Sequence, residues 1–172
     1  MKNLWKPLLI TASLVIVLAG CGAPVAEQID KGLENAEATF TSEAQATTEE
    51  VGDIQVYMPR GYTIFKGEAD MNYVVTKGND SFILFVNTIE REDSQLHYDN
   101  LIVEQGDKIV KKQTYINEGV FGFTAVIQHS EEQYELVVSN GGVKMTTMSD
   151  DKKIDDKLQS MMEIVRSAEV KQ

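Results

Sequence analysis

The sequence predicts an α+β fold: a mostly antiparallel β-sheet with a C-terminal helix packed on one face, preceded by a signal peptide and a flexible tether. Three observations carry that expectation. From Ile54 to Met148, short runs of alternating apolar and polar residues are separated by turns rich in Gly, Asn and Asp. Near the end, Ile154, Leu158, Met161, Met162 and Val165 recur at i, i+4, i+7, i+8 and i+11, one apolar face of a helix. At the start, Lys2 and Lys6 precede an apolar run from Leu8 to Ala19 that ends in small residues.

The opening stretch has the layout of a secretory signal: a positive n-region, a short apolar h-region and a small-residue cleavage zone. Leu18-Ala19-Gly20-Cys21 resembles the lipobox of bacterial lipoproteins. That resemblance implies a diacylglyceryl group on Cys21, which becomes the first residue of the mature chain after removal of residues 1–20. Two alternatives stand beside it. An uncleaved span needs about 20 apolar residues; the uncharged stretch 7–26 is long enough, but Pro7 opens it and Gly20, Gly22 and Pro24 break its last third. Ordinary cleavage wants an A-x-A-like site, which Gly20-Cys21-Gly22 matches poorly. One acyl chain holds a protein marginally and two hold it stably, so a diacylglyceryl cysteine suffices as an anchor.

Composition narrows the partners. The 172 residues include 16 basic and 27 acidic ones, a formal charge of −11. Loss of residues 1–20 removes Lys2 and Lys6 and no acid, leaving 14 basic against 27 acidic residues, or −13. Nucleic-acid phosphates repel such a chain, and it has no polybasic run for anionic lipid. The expectation is no nucleic acid, and membrane contact through the lipid on Cys21. Cys21 is the single cysteine, so the exported domain has no internal disulfide or thiolate ligand and must fold on its hydrophobic core.

Residues 21–52 are expected to be the lipidated N-terminus and an acidic, Ala/Glu/Thr-rich tether. Val25, Ile29, Leu33, Ala36 and Phe40 do recur at steps of 4, 4, 3 and 4, a helical stripe that could dock on the domain or a partner. Gly32 interrupts it, and an isolated helix of this length is marginal in water. The reading is a linker with nascent helix.

Residues 53–170 form the expected globular domain of about eight strands. Ile54, Val56 and Met58 alternate, and Pro59-Arg60-Gly61-Tyr62 turns the chain. Strands follow at 62–66 and 71–77, then the turn Gly78-Asn79-Asp80. Residues 81–88 make the most apolar strand, whose run Phe82-Ile83-Leu84-Phe85-Val86 suggests burial on both faces and a central place. Asp93 or Ser94 could cap a short helix carrying Leu96, Leu101 and Ile102. Strands at 108–116 and 120–128 flank Asn117-Glu118-Gly119. Strands at 134–139 and 143–148 flank Asn140-Gly141-Gly142, the strongest hairpin signal in the chain. Asp150 or Asp151 could cap the closing helix, with Asp155 and Asp156 at the positive end of its dipole.

Pro59-x-Gly61-Tyr62, the hairpin series and Met162-x-Ile164-Val165-x-Ser167 resemble small modules of uncharacterised bacterial lipoproteins, some of which share the architecture of photosystem II PsbP and the nuclear-transport factor Mog1. The resemblance implies a curved antiparallel sheet and a binding or accessory role without catalysis. No functional residue carries over from it.

Chemistry-bearing motifs are sparse. His97 and His129 are the two histidines; no H-x-x-x-H or H-E-x-x-H joins them, and a zinc site would need carboxylates from distant strands. There is no G-x-S-x-G elbow, no S-x-x-K, no phosphate-binding glycine loop and no calcium-loop frame. No catalytic residue, metal ligand or cofactor is therefore assigned, and Cys21 is the one site residue. Two functional expectations remain. The first is an exported, lipid-anchored, non-enzymatic module that binds an envelope component. The second is a small-ligand binder or enzyme with a pocket between sheet and helix, with Tyr62, Tyr73, Tyr98 or His97 at its mouth.

Overall fold

The structure is a computed structural model that describes residues 23–150 and 152–171. Residues 1–20, expected to be a signal peptide, the candidate lipidation site Cys21 and the candidate cap Asp151 lie outside the described residues. The chain opens with helix α1 (Val25–Thr41), followed by strands β1 (Glu49–Val51), β2 (Ile54–Val56), β3 (Thr63–Lys66), β4 (Asn72–Lys77) and β5 (Asp80–Val86). Helix α2 (Leu96–Gln105) and a short 3₁₀ turn lead into β6 (Ile109–Asn117), β7 (Val120–Gln128), β8 (Tyr134–Asn140) and β9 (Val143–Ser149). Helix α3 (Ile154–Ser167) and the two-residue strand β10 (Glu169–Val170) close it.

Seven strands form one antiparallel sheet in the order β3-β4-β5-β9-β8-β7-β6, and β1, β2 and β10 form a small second sheet. The α+β class and the C-terminal helix on one face agree with the alternation and the 3.6-residue period. The predicted turns are present, with Gly61, Gly78, Gly119 and Gly141 all at positive φ. The strand expected at 54–58 is shorter than its apolar pattern and pairs outside the main sheet, with β1 and β10.

Residues 25–41 are not a tether. They form a seventeen-residue helix whose Ile29, Leu33, Ala36 and Phe40 are buried in the main core. The stripe visible in the sequence is a docking face, and tertiary burial supplies the stability that an isolated helix lacks. Gly32, which argued against a helix, is what permits the packing. A Cβ there would lie 2.7 Å from Leu158 Cδ1 and 3.1 Å from the Asp155 Cα. α1 therefore runs close beside α3 and parallel to it. Gln28 Oε1 accepts the Ile154 N–H at one end, and Arg166 Nη2 donates to the Ser42 carbonyl at the other. That first bond also corrects the expected cap. Lys153, in the left-handed region, is the N-cap of α3 and makes no side-chain bond of its own. Gln28 of α1 serves one of the orphan donors instead.

The second correction concerns β5. It lies inside the sheet, but only Phe82, Leu84 and Val86 are buried, while Ile83 is 44% exposed. The strands buried on both faces are β7 and β8. Continuous burial needs a second layer, and α2 supplies one over that half of the sheet alone.

Candidate functional site

The two faces of the seven-stranded sheet meet different partners. On the inner face, alternate residues of every strand (Ile64, Tyr73, Leu84, Tyr115, Leu136 and Met145 among them) join α1 and α3 in one core. On the outer face, Leu101 of α2 packs with Phe121, Phe123, Ala125, Ile127 and Val137. Tyr98 adds edge-on ring contacts at 5.9 Å to Phe121 and 5.5 Å to Phe123. α2 is one short helix, and the remainder of the outer face carries none of its core residues.

Within that remainder an apolar strip runs between rows of polar residues, with Thr63, Thr76 and Ser81 on one side of it and Asn72 and Lys144 on the other. Phe65 pairs with Val74, Val74 with Ile83, and Ile83 with Thr146, so these four side chains form one row across β3, β4, β5 and β9. Phe65 is 54% exposed, Ile83 44%, and Met148, two residues along β9 from Thr146, 50%. Phe85 continues the surface toward α2, where its ring meets His97 edge-on at 5.7 Å. Contiguous exposed apolar surface on a folded domain marks an interaction site more often than scattered single residues do. Parity in the strand alternation was the sequence signal for this face. Phe65 and Ile83 stand out of phase with Ile64, Phe82 and Leu84.

Beside the apolar row, α2 and the strands β8 and β9 enclose a polar cleft of about 200 Å³ lined by His97, Glu104, Gln105, Glu135, Lys144 and Thr146, among others. Gln105 Nε2 donates to Glu135 Oε2 at 3.2 Å, and His129 Nε2 lies 3.0 Å from the same oxygen. His97 Nε2 donates to the Gly142 carbonyl at 3.3 Å. Burial lowers the His97 pKa from its ordinary value; the Gly142 carbonyl opposes that shift and the Lys144 charge adds to it. The imidazole is therefore neutral near pH 7. The cleft presents a lysine, two carboxylates and amide groups, a set suited to holding a small polar or zwitterionic molecule.

The sequence candidates divide between faces. His97 and Tyr98 are on α2; His97 lines the cleft, and Tyr98 packs on Phe121 and Phe123 beneath the helix. Tyr62 and Tyr73 are on the inner side. The Tyr62 ring packs on Phe82 at 5.6 Å beneath Lys77, and its buried hydroxyl has no hydrogen-bond partner among the described residues. Tyr73 lines a separate cavity of about 360 Å³ between the two sheets, with Asp53, Lys66 and Asp70. His129 sits half-exposed at the end of β7 and meets Glu135 rather than His97's partners. Sequence reasoning did not single out Glu104, Glu135 or Lys144, because isolated charges on a strand or helix give no spacing signal.

Among the described residues, no group of three His, Cys, Asp or Glu side chains could hold a metal ion. None of the described helices is long and apolar enough to cross a membrane. No protein-family model matches the chain, and no curated protein matches it in sequence. The chain is similar to the solution structure of cyanobacterial PsbP (CyanoP) from Synechocystis sp. PCC 6803, at 11% identity and a TM-score of 0.38. That likeness covers 69% of this chain and 87% of the other. It is too distant for any role of that protein to be carried across.

Proposed function

We propose that this protein is an exported, lipid-anchored binding module that holds an envelope protein on the outer face of its sheet. The row of Phe65, Val74 and Ile83 carries the reading, since a face of that kind is stabilised by a partner and no layer of the described residues covers it. Diacylglyceryl on Cys21, implied by the lipobox resemblance, is the attachment. Among the described residues, His97 and His129 meet a carbonyl and a carboxylate rather than a hydroxyl nucleophile.

A photo-crosslinking residue at Ile83, in intact cells, should capture a defined protein, and the same residue at Glu34 on the exposed side of α1 should not. Phe65→Glu should abolish the Ile83 adduct without unfolding the domain. Equal adducts at both positions, or none at either, would end this reading. The polar cleft favours a second one, a small polar ligand held between Lys144 and Glu135. It predicts a ligand-dependent rise in melting temperature that Lys144→Ala removes.

A further inference from the structure

The start of α1 fixes how far the domain can stand from its anchor, and the sheet fixes which end faces the bilayer. The described residues begin at Ala23, whose carbonyl accepts a hydrogen bond from Gln28 Nε2 at 2.8 Å, and the Gln28 N–H bonds the Pro24 carbonyl at 3.0 Å. Only Gly22 separates Ala23 from Cys21. Two residues span at most about 7 Å when fully extended. A thirty-residue tether would reach on the order of 30 Å, so the docked helix removes most of that freedom.

The end of the fold bearing Ala23 is well defined. Gln28 meets Ile154 at the start of α3, and Lys111 near the start of β6 pairs with Asp30. Lys157, in the first turns of α3, donates to Asp80 at the start of β5 and to Ser149 at the end of β9. Asp80 pairs with Lys77, and Thr63 with Thr76. The turns 59–62, 77–80, 129–133 and 150–153 therefore share the end at which the chain leaves for Cys21. At the opposite end lie the turns 67–71, 87–94, 117–119 and 140–142, about 30 Å away along nine-residue strands.

Charge separates the two ends in the same sense. The near turns nearly balance Arg60, Lys77, Lys152 and Lys153 against Asp80, Glu131, Glu132, Asp150 and Asp151, whereas the far turns carry Glu68, Asp70, Glu90, Glu92, Asp93 and Glu118 with Arg91 alone. An anionic headgroup layer repels the far end more than the near one.

We propose that a lipid bilayer is the partner of the near end: the turns at 59–62, 77–80, 129–133 and 150–153 rest at the headgroups, and the strands rise from the membrane. This rests on lipidation of Cys21. It places the apolar outer face upright beside the anchor, with its Phe65 end far from the membrane and its Met148 end near it.

Acylation consumes the native thiol, so a cysteine introduced elsewhere is the only free one in the lipidated chain. Spin labels are placed at Asn79→Cys in the near turn and at Glu68→Cys in the far turn. The full-length lipidated proteins are reconstituted in vesicles containing a nickel-chelating headgroup lipid. The expected result is a several-fold greater relaxation of the Asn79 label than of the Glu68 label. Inserting twenty Gly/Ser residues after Gly22 should erase that difference. Vesicle-bound, lipidated protein whose two labels respond alike overturns the orientation alone. An intact mass without diacylglyceryl on Cys21 overturns the anchor, and the orientation with it.

Discussion

A methyl group at Gly32 would meet Leu158 Cδ1 at 2.7 Å and the Asp155 backbone at 3.1 Å, which sets two effects against each other. Alanine is about 1 kcal/mol better than glycine inside a helix. Overpacking a closed interface costs about 1–3 kcal/mol. In a solvated tether the first effect acts alone, and Gly32→Ala raises helicity at no cost. In the docked helix the second wins, so Gly32→Ala should lower the urea midpoint. Phe40→Ala should lower it further, by about 3–5 kcal/mol. The Phe40 ring is fully buried, 5.2 Å from Tyr115, in space that Gly122 leaves open. His97 gives a prediction in pH. Its folded pKa lies below the unfolded value of 6.5, so the unfolded chain binds the proton first as pH falls. The full stability is present above 6.5 and is lost as pH drops toward the folded pKa. His97→Phe should flatten the fall in urea midpoint between pH 7.5 and 5.5; an unchanged slope would place the titrating group elsewhere.

Helix α1 is the element whose role is hardest to read from the chain, and the reason is physical. Its stripe, Val25 to Phe40, was visible in the residues. Whether a stripe docks depends on a complementary surface that local sequence does not encode, here Leu158 and Met161 of α3. The antiparallel strands were legible because alternation and glycine turns are local signals. β5 was misjudged for the opposite reason, since five consecutive apolar residues look alike whether or not a second layer covers them. The candidate surface followed from that same misjudgement: Ile83 was counted as core, and only the reach of α2 shows otherwise. The α1–α3 contact also carries an acid-sensitive pair. Lys31 Nζ lies 2.6 Å from Asp155 Oδ2, and that hydrogen bond holds the Asp155 carboxyl below the usual carboxylate range. A depressed carboxylate contributes stability above its unfolded pKa, near 3.8, and loses it as pH falls through the folded value. Lys31 is largely exposed, so solvent screening keeps the contribution small. Asp155→Asn should therefore lower the urea midpoint slightly at pH 6 and leave it unchanged near pH 2, read by helical circular dichroism.

For the molecule as a whole, the proposed anchor at Cys21 precedes the described fold in the chain. The described contacts of the N-terminal segment begin at Ala23, and each apolar residue of α1 in the core lies at or beyond Ile29. On the proposed reading residues 1–22 serve location, while residues 25–41 contribute to the core. Removing the first group should leave the unfolding free energy, read by urea titration, within about 0.5 kcal/mol of the full-length protein, because none of the described core is lost. Removing the second uncovers Leu158, Met161 and Met162 of α3 together with Tyr115 and Val126 of the sheet. Ile29, Leu33 and Phe40 are each fully or almost fully buried, and a buried aliphatic or aromatic side chain contributes about 1.5–3 kcal/mol. The loss is comparable to the entire stability of an ordinary domain. A chain beginning at Ala23 should melt cooperatively, whereas one beginning at Glu43 should bind an apolar dye and lose its sharp transition. A sharp, unchanged melt for the shorter chain would restore residues 25–41 to the role of a tether. It would also lengthen the reach from the bilayer and remove the constraint that orients the sheet.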